Sequence, residues 1–118
     1  MIAEAKKAEL RAELEAQREN LRREITEQGG NPDADEAEID VERGFADSAH
    51  STAERARLLS VMKALRANLR WVDRALTKMD LGTYGVCERC GQPVGIERLE
   101  ALPWAILCID CKRAGEGR

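Results

Sequence analysis

From Leu58 to Met79 the apolar positions alternate in steps of four and three: Leu58, Met62, Leu65, Leu69, Val72, Leu76 and Met79. Three such repeats put one narrow apolar seam along a helix, the pattern of a coiled coil. The pattern predicts a helix over 48–80. Its start is open between two capping solutions. Ser51 and Glu54 have capping-box spacing, and Asp47 or Ser48 would cap one turn earlier. Projected backward, the seam reaches Arg55 and Ser51 and turns polar.

Residues 2–28 are rich in Ala, Leu, Glu and Arg, with no Gly or Pro, and predict a first helix. Leu10, Leu14 and Leu21 fit a matching seam, which Lys7, Gln17 and Gln28 interrupt, while Ile25 lies beside it. Gly29, Gly30, Asn31 and Pro32 then stop the helix. Two seams joined by a loop predict a mainly α chain built on an antiparallel coiled-coil helical hairpin. The expected division is a hairpin over 1–80, with an acidic tip loop at about 29–48, and a small C-terminal finger over 81–118. Both seams are better at the finger end, so the loop end is expected to be the looser.

Charge sharpens this picture. Residues 33–47 hold seven acids and one base. Residues 1–28 carry seven acids and six bases, and residues 49–80 carry three acids and seven bases. The helices therefore complement each other, although each exposed pair contributes only ~0.2–1 kcal/mol. The whole chain of 118 residues has a net charge of -3 and a pI near 5.3, which argues against a protein whose main task is neutralising nucleic-acid phosphates. Charged residues make up 35% and aromatics 3%, so the core is thin and a metal or disulfide staple is expected. There is no apolar run of about 18 residues and no apolar stretch of the signal-peptide kind at the N-terminus. The expectation is a cytoplasmic protein that does not enter the membrane, where paired cysteines point to metal more often than to disulfides.

The four cysteines, Cys87, Cys90, Cys108 and Cys111, read C-x2-C-x17-C-x2-C. This is zinc-ribbon spacing. Two thiolates two residues apart both face one metal when the backbone folds into a tight knuckle, and two knuckles complete a tetrahedron. Gly91 directly follows Cys90, where the turn needs positive φ or close approach to sulfur. One Zn²⁺ with four sulfur ligands keeps no position for water or substrate, so the site reads as structural. Two disulfides, a redox pair or an iron site are the competing readings. Between the knuckles, Pro93, Val94, Ile96, Leu99, Leu102, Trp104 and Ile106 are candidates to pack beside the metal. Residues 81–118 balance five acids with five bases, a poor composition for a duplex clamp.

The stretch LGTYGVCERCGQPVGIERLEALPWAILCIDCKR closely resembles the zinc finger of the DksA/TraR family. Beyond the cysteines, Tyr84, Gly85, Gly91, Arg98, Leu99, Pro103, Leu107 and Lys112 match the family pattern. The finger is about a third of the chain, and the hairpin with an acidic tip extends the resemblance to nearly all of it. The resemblance implies a bacterial transcription regulator that binds RNA polymerase directly and does not bind promoter DNA. It implies a coiled-coil tip inserted into the secondary channel to modulate initiation, with the finger on the channel's outer rim.

In the family's tip motif, D-x-x-D-x-A, Asp47 and Ala49 match the second acid and the alanine. Gly44 stands in place of the first acid, with Asp40 and Glu42 nearby as accessory acids. Asp47 also reads simply as a helix cap. Relatives that respond to the alarmone ppGpp carry a lysine where this chain has Trp71 and an arginine where it has Leu102. Lys112 does match and is a candidate rim or anion contact. Two lost positive charges imply little ppGpp dependence.

Two further readings remain open: a zinc-ribbon nucleic-acid binder with a dimerising coiled coil, and a structural adaptor. An enzyme is not expected. The lone His50 has no cysteine near it in sequence, and no phosphate loop, nucleophile motif or open metal site is present. A monomer is expected, because the second helix meets its partner helix within the same chain at high effective concentration.

Overall fold

A computed structural model of the chain describes residues 2–33 and 52–116. Its elements are α1 (Glu4–Glu27), α2 (Thr52–Leu81), α3 (Ile96–Ala101) and α4 (Ile109–Glu116). Among the described residues the only extended pairing is a single antiparallel bridge between Val86 and Pro93. The protein is therefore mainly α, as the seams predict. No helix among the described residues is long and apolar enough to cross a membrane.

α1 stops where the sequence places its glycines. Gly29 takes φ 93°, and its N–H donates to the Thr26 carbonyl at 3.0 Å. The Gly30 N–H donates to the Ile25 carbonyl at 2.9 Å. This pair of bonds is a Schellman closure, which satisfies carbonyls the helix leaves open. α2 ends in the same way, with Gly82 bonded to Met79 at 3.3 Å and Thr83 to Lys78 at 2.8 Å. α2 begins at Thr52, so the expected helical residues 48–51 and their caps lie outside the described residues.

The chain forms two compact units, one from residues 18–70 and the other from residues 1–17 with 71–118. In the first, Leu21 and Ile25 of α1 are buried, as are Met62, Leu65 and Leu69 of α2. Ile25 corrects the sequence reading: it is 0% exposed, whereas Gln28 faces solvent. The interval from Leu21 to Ile25 is a four-residue step where a strict heptad calls for three. A helix of 3.6 residues per turn absorbs such a step by drifting off the heptad line. Arg66 lies among these apolar residues at 5% exposure and donates to the Asn31 carbonyl at 2.8 Å.

In the second unit, Leu10 and Leu14 of α1 and Val72, Ala75 and Met79 of α2 are buried. Fully burying a side chain such as Leu14 contributes about 1.5–3 kcal/mol relative to leaving it in water. Arg11 near the start of α1 pairs with Asp80 near the end of α2 at 2.9 Å, as antiparallel helices require. Lys6 reaches Glu100 of α3 at 2.9 Å. These pairs are exposed and orient the elements more than they stabilise them.

Candidate metal centre

The first knuckle is a tight hairpin. The Val94 N–H donates to the Gly85 carbonyl at 2.8 Å, Cys87 to Gln92 at 2.8 Å, and Gly91 back to Cys87 at 3.0 Å. Gly91 turns the chain at φ 77°, and a Cβ there would meet nothing within 4 Å. Backbone conformation, not crowding, is what demands glycine at this place. The second pair is built differently. Cys108 immediately precedes α4 and Cys111 lies in its first turn, with the Lys112 N–H bonded to the Cys108 carbonyl at 3.0 Å. Thiolates at a helix N-terminus are favoured by its open N–H groups and dipole.

The four Sγ atoms all lie within 4.8 Å of one another, and Cys90 and Cys108 are 3.7 Å apart. Sulfurs at the corners of a tetrahedron with ~2.3 Å metal–sulfur bonds stand about 3.8 Å apart. A disulfide would need about 2.05 Å, and all four cysteines are free thiols. No disulfide joins any two of the four cysteines. All four corners are protein sulfur, so the donor set suits a closed thiolate-loving cation.

Electrostatics agree with that donor set. Burial pushes the Cys87 thiol up, but N–H groups of Cys108, Cys90 and Arg89 outweigh burial and draw it down to about 6. Cys111 is pushed up to about 12 by burial and by its sulfur neighbours. Four adjacent sulfurs cannot all become thiolates unless a cation offsets their mutual repulsion.

Groups around the cluster hold its two halves in register. The Glu88 N–H donates to the Ile106 carbonyl at 2.9 Å, joining the two knuckles. Arg98 of α3 donates to the Leu107 carbonyl at 3.1 Å, just before Cys108. The buried Tyr84 hydroxyl donates to the Pro103 carbonyl at 2.8 Å. The end of α2 grips the first knuckle on either side of Cys87. Lys78 donates to the Val86 carbonyl at 2.7 Å, and Arg74 pairs with Glu88 at 2.6 Å.

Sequence reasoning located the four cysteines and, through the family pattern, Tyr84 and Arg98. It missed Lys78, Arg74 and Glu88. Lys78 adjoins Met79 on the seam, a position that in sequence does not separate a buried cation from a solvated one. Of the expected packing residues, Val94, Leu99 and Ile106 are buried and Leu102 and Trp104 are half-buried. Pro93 and Ile96 are exposed, because in the short α3 Leu99 takes the inward face. Trp71 is 40% exposed, and Lys112 is exposed on α4 next to Cys111. Asp40, Glu42, Asp47 and Ala49, with Gly44 and His50, lie outside the described residues.

Residues 82–116 match the prokaryotic dksA/traR C4-type zinc finger. Over 117 residues the chain is 35% identical to the RNA polymerase-binding transcription factor DksA of Escherichia coli K12, covering 98% of this chain and 74% of that protein. It is 36% identical over 74 residues to the DksA of Caulobacter vibrioides NA1000, covering 63% of this chain. The match spans about half (52%) of the Caulobacter protein's length. Among solved structures, the transcription factor DksA2 from Pseudomonas aeruginosa superposes with a TM-score of 0.69 at 28% identity, covering 98% of this chain and 86% of that one.

Proposed function

The chain belongs to the DksA/TraR zinc-finger family, and on that premise we propose that it regulates bacterial transcription by binding RNA polymerase directly. The observation that carries this reading is the match to the Escherichia coli factor, which runs through hairpin and finger alike and is named for polymerase binding. The likeness to the Pseudomonas factor supports it at the level of the whole fold.

In this reading Cys87, Cys90, Cys108 and Cys111 hold one Zn²⁺. The bound ion neutralises thiolate charge and fixes the finger, and it does no chemistry on a substrate. Lys78 and Arg74 tie the end of α2 to the first knuckle, so the finger and the base of the hairpin form one platform for the rim of the polymerase. The acidic segment between α1 and α2 enters the secondary channel. There Asp47 and Ala49, with Asp40 and Glu42 as accessory acids, alter the field around the catalytic Mg²⁺ and its mobile loops. Gly44 in place of the first motif acid leaves Asp47 as the principal charge. Trp71 and Leu102 supply no cation for ppGpp, so the effect depends little on that alarmone, and Lys112 remains as a rim or anion contact. The protein acts as a cytoplasmic monomer without sequence-specific DNA binding.

The test uses purified polymerase from the same host. Wild-type protein is expected to bind core enzyme without DNA and to shorten or lengthen open-complex lifetime. Asp47→Asn, which removes charge at constant size, should keep binding and lose the effect on lifetime. Absence of any binding to core or holoenzyme would sink the reading. An unaltered effect of Asp47→Asn would reduce Asp47 to a helix cap.

A further inference from the structure

We infer that Arg66 and Arg22 are positioning residues for the effect on polymerase: from α2 and α1 they fix residues 29–33, where the chain leaves α1. The inference rests on the polymerase reading above and deepens it.

Arg66 is a costly choice for its position. It is 5% exposed, between the buried Leu65 and Leu69. A buried guanidinium must be compensated by hydrogen bonds, and replacing such a group by an apolar side chain of similar size is often neutral or stabilising. Packing alone therefore gives no reason for an arginine. What an apolar residue could not do is grip a backbone carbonyl. Arg66 donates from α2 to the Asn31 carbonyl at 2.8 Å, across 35 residues of sequence.

A second arginine holds the same short stretch from the other helix. Arg22 of α1, with its side chain 24% exposed, pairs with Asp33 at 2.8 Å. Between these two anchor points the Asp33 N–H donates to the Asn31 side-chain oxygen at 2.9 Å, closing an Asx turn. The Schellman bonds of Gly29 and Gly30 fix the residues just before it. Residues 29–33 are thus tied to α1 and α2 by directional polar contacts at the place where the run of seven acids begins. Apolar contacts are non-directional and tolerate sliding, whereas hydrogen bonds of this kind fix direction.

Three variants test this: Arg66→Met, Arg66→Lys and Arg22→Met. The first readout is ¹⁵N relaxation of the free, metal-loaded protein. Wild-type amides of residues 29–31 and 33 should show order parameters of about 0.85, falling below about 0.6 in Arg66→Met. The second is polymerase affinity set against the saturating effect on open-complex lifetime. Arg66→Met should bind polymerase with unchanged affinity, while its saturating effect falls by up to about 100-fold, the scale of loss from a functional group misplaced by about 1 Å. Arg66→Lys, which keeps a charged donor, should recover much of that effect.

Wild-type order parameters in Arg66→Met, or an effect that falls only in step with affinity, would overturn the inference. Should Arg66→Met fail to fold, Arg22→Met decides by the same two readouts, because its contact is at the surface. If wild-type protein does not bind polymerase, the functional reading fails, yet the relaxation measurement still decides the anchoring.

Discussion

Replacing Tyr84 by Phe removes one oxygen atom and nothing else, and its consequence should reverse sign with pH. Tyr84 is 7% exposed, and its hydroxyl donates to the carbonyl of the buried Pro103 at 2.8 Å. At neutral pH, Tyr84→Phe leaves that carbonyl without its partner and should cost ~1–2 kcal/mol of stability. Burial, with a smaller contribution from Glu13, pushes the phenol up to about 12, against about 10 when unfolded. The folded state thus favours the neutral phenol, and the unfolded state releases its proton first as pH rises. Wild-type stability is unaffected below pH ~10 and then falls by ~1.4 kcal/mol per unit, to a total near 2.7 kcal/mol by pH ~12. The Phe variant has no phenol and escapes this loss, so the two proteins should be equally stable near pH ~11 and change rank above it.

Urea unfolding of both metal-loaded proteins across this range reads the reversal. Because Tyr84 is the single tyrosine, tyrosinate absorbance titrates it directly in the folded and the urea-unfolded chain. A folded midpoint near the unfolded one, with wild type remaining the more stable protein throughout, would refute the buried, hydrogen-bonded assignment.

Other expectations test other parts of the fold. Ile25→Ala should destabilise by ~2–5 kcal/mol in urea unfolding, because the side chain is 0% exposed, whereas Gln28→Ala should stay within about 0.5 kcal/mol. The reverse order would restore the strict heptad line. Gly91→Ala forces a side chain into φ 77° and should cost ~1–2 kcal/mol, read as roughly tenfold weaker zinc affinity in chelator competition. Exhaustive chelation should release one zinc per chain by elemental analysis and abolish amide protection over the finger. Retained protection would mean that the finger folds without its metal.

The sequence made some of these features legible and concealed others for physical reasons. The seam from Leu58 to Met79 could be read because a strict periodicity over three repeats has few alternatives. The cysteine cluster could be read because metal geometry restricts spacing. Ile25 falls beside the seam in sequence because α1 carries few large apolar residues, and the heptad grid does not anticipate helical drift. The roles of Lys78 and Arg66 were hidden for a different reason. A buried cation and a solvated one share the same sequence position relative to the seam. Their partners, Val86 and Asn31, lie 8 and 35 residues away and are backbone carbonyls, which no side-chain pattern reveals. The exposed Pro93 and Ile96 show the converse, since in a short finger apolar character does not by itself assign the inward face.

The proposed function has the acidic segment act from inside the secondary channel. A photo-crosslinking residue at position 47, introduced into the full metal-loaded chain and irradiated in complex with host RNA polymerase, tests it most directly. Crosslinks to polymerase segments that surround the catalytic Mg²⁺ are expected. Crosslinks confined to the outer surface of the enzyme or to DNA, in a complex that still forms, would contradict it.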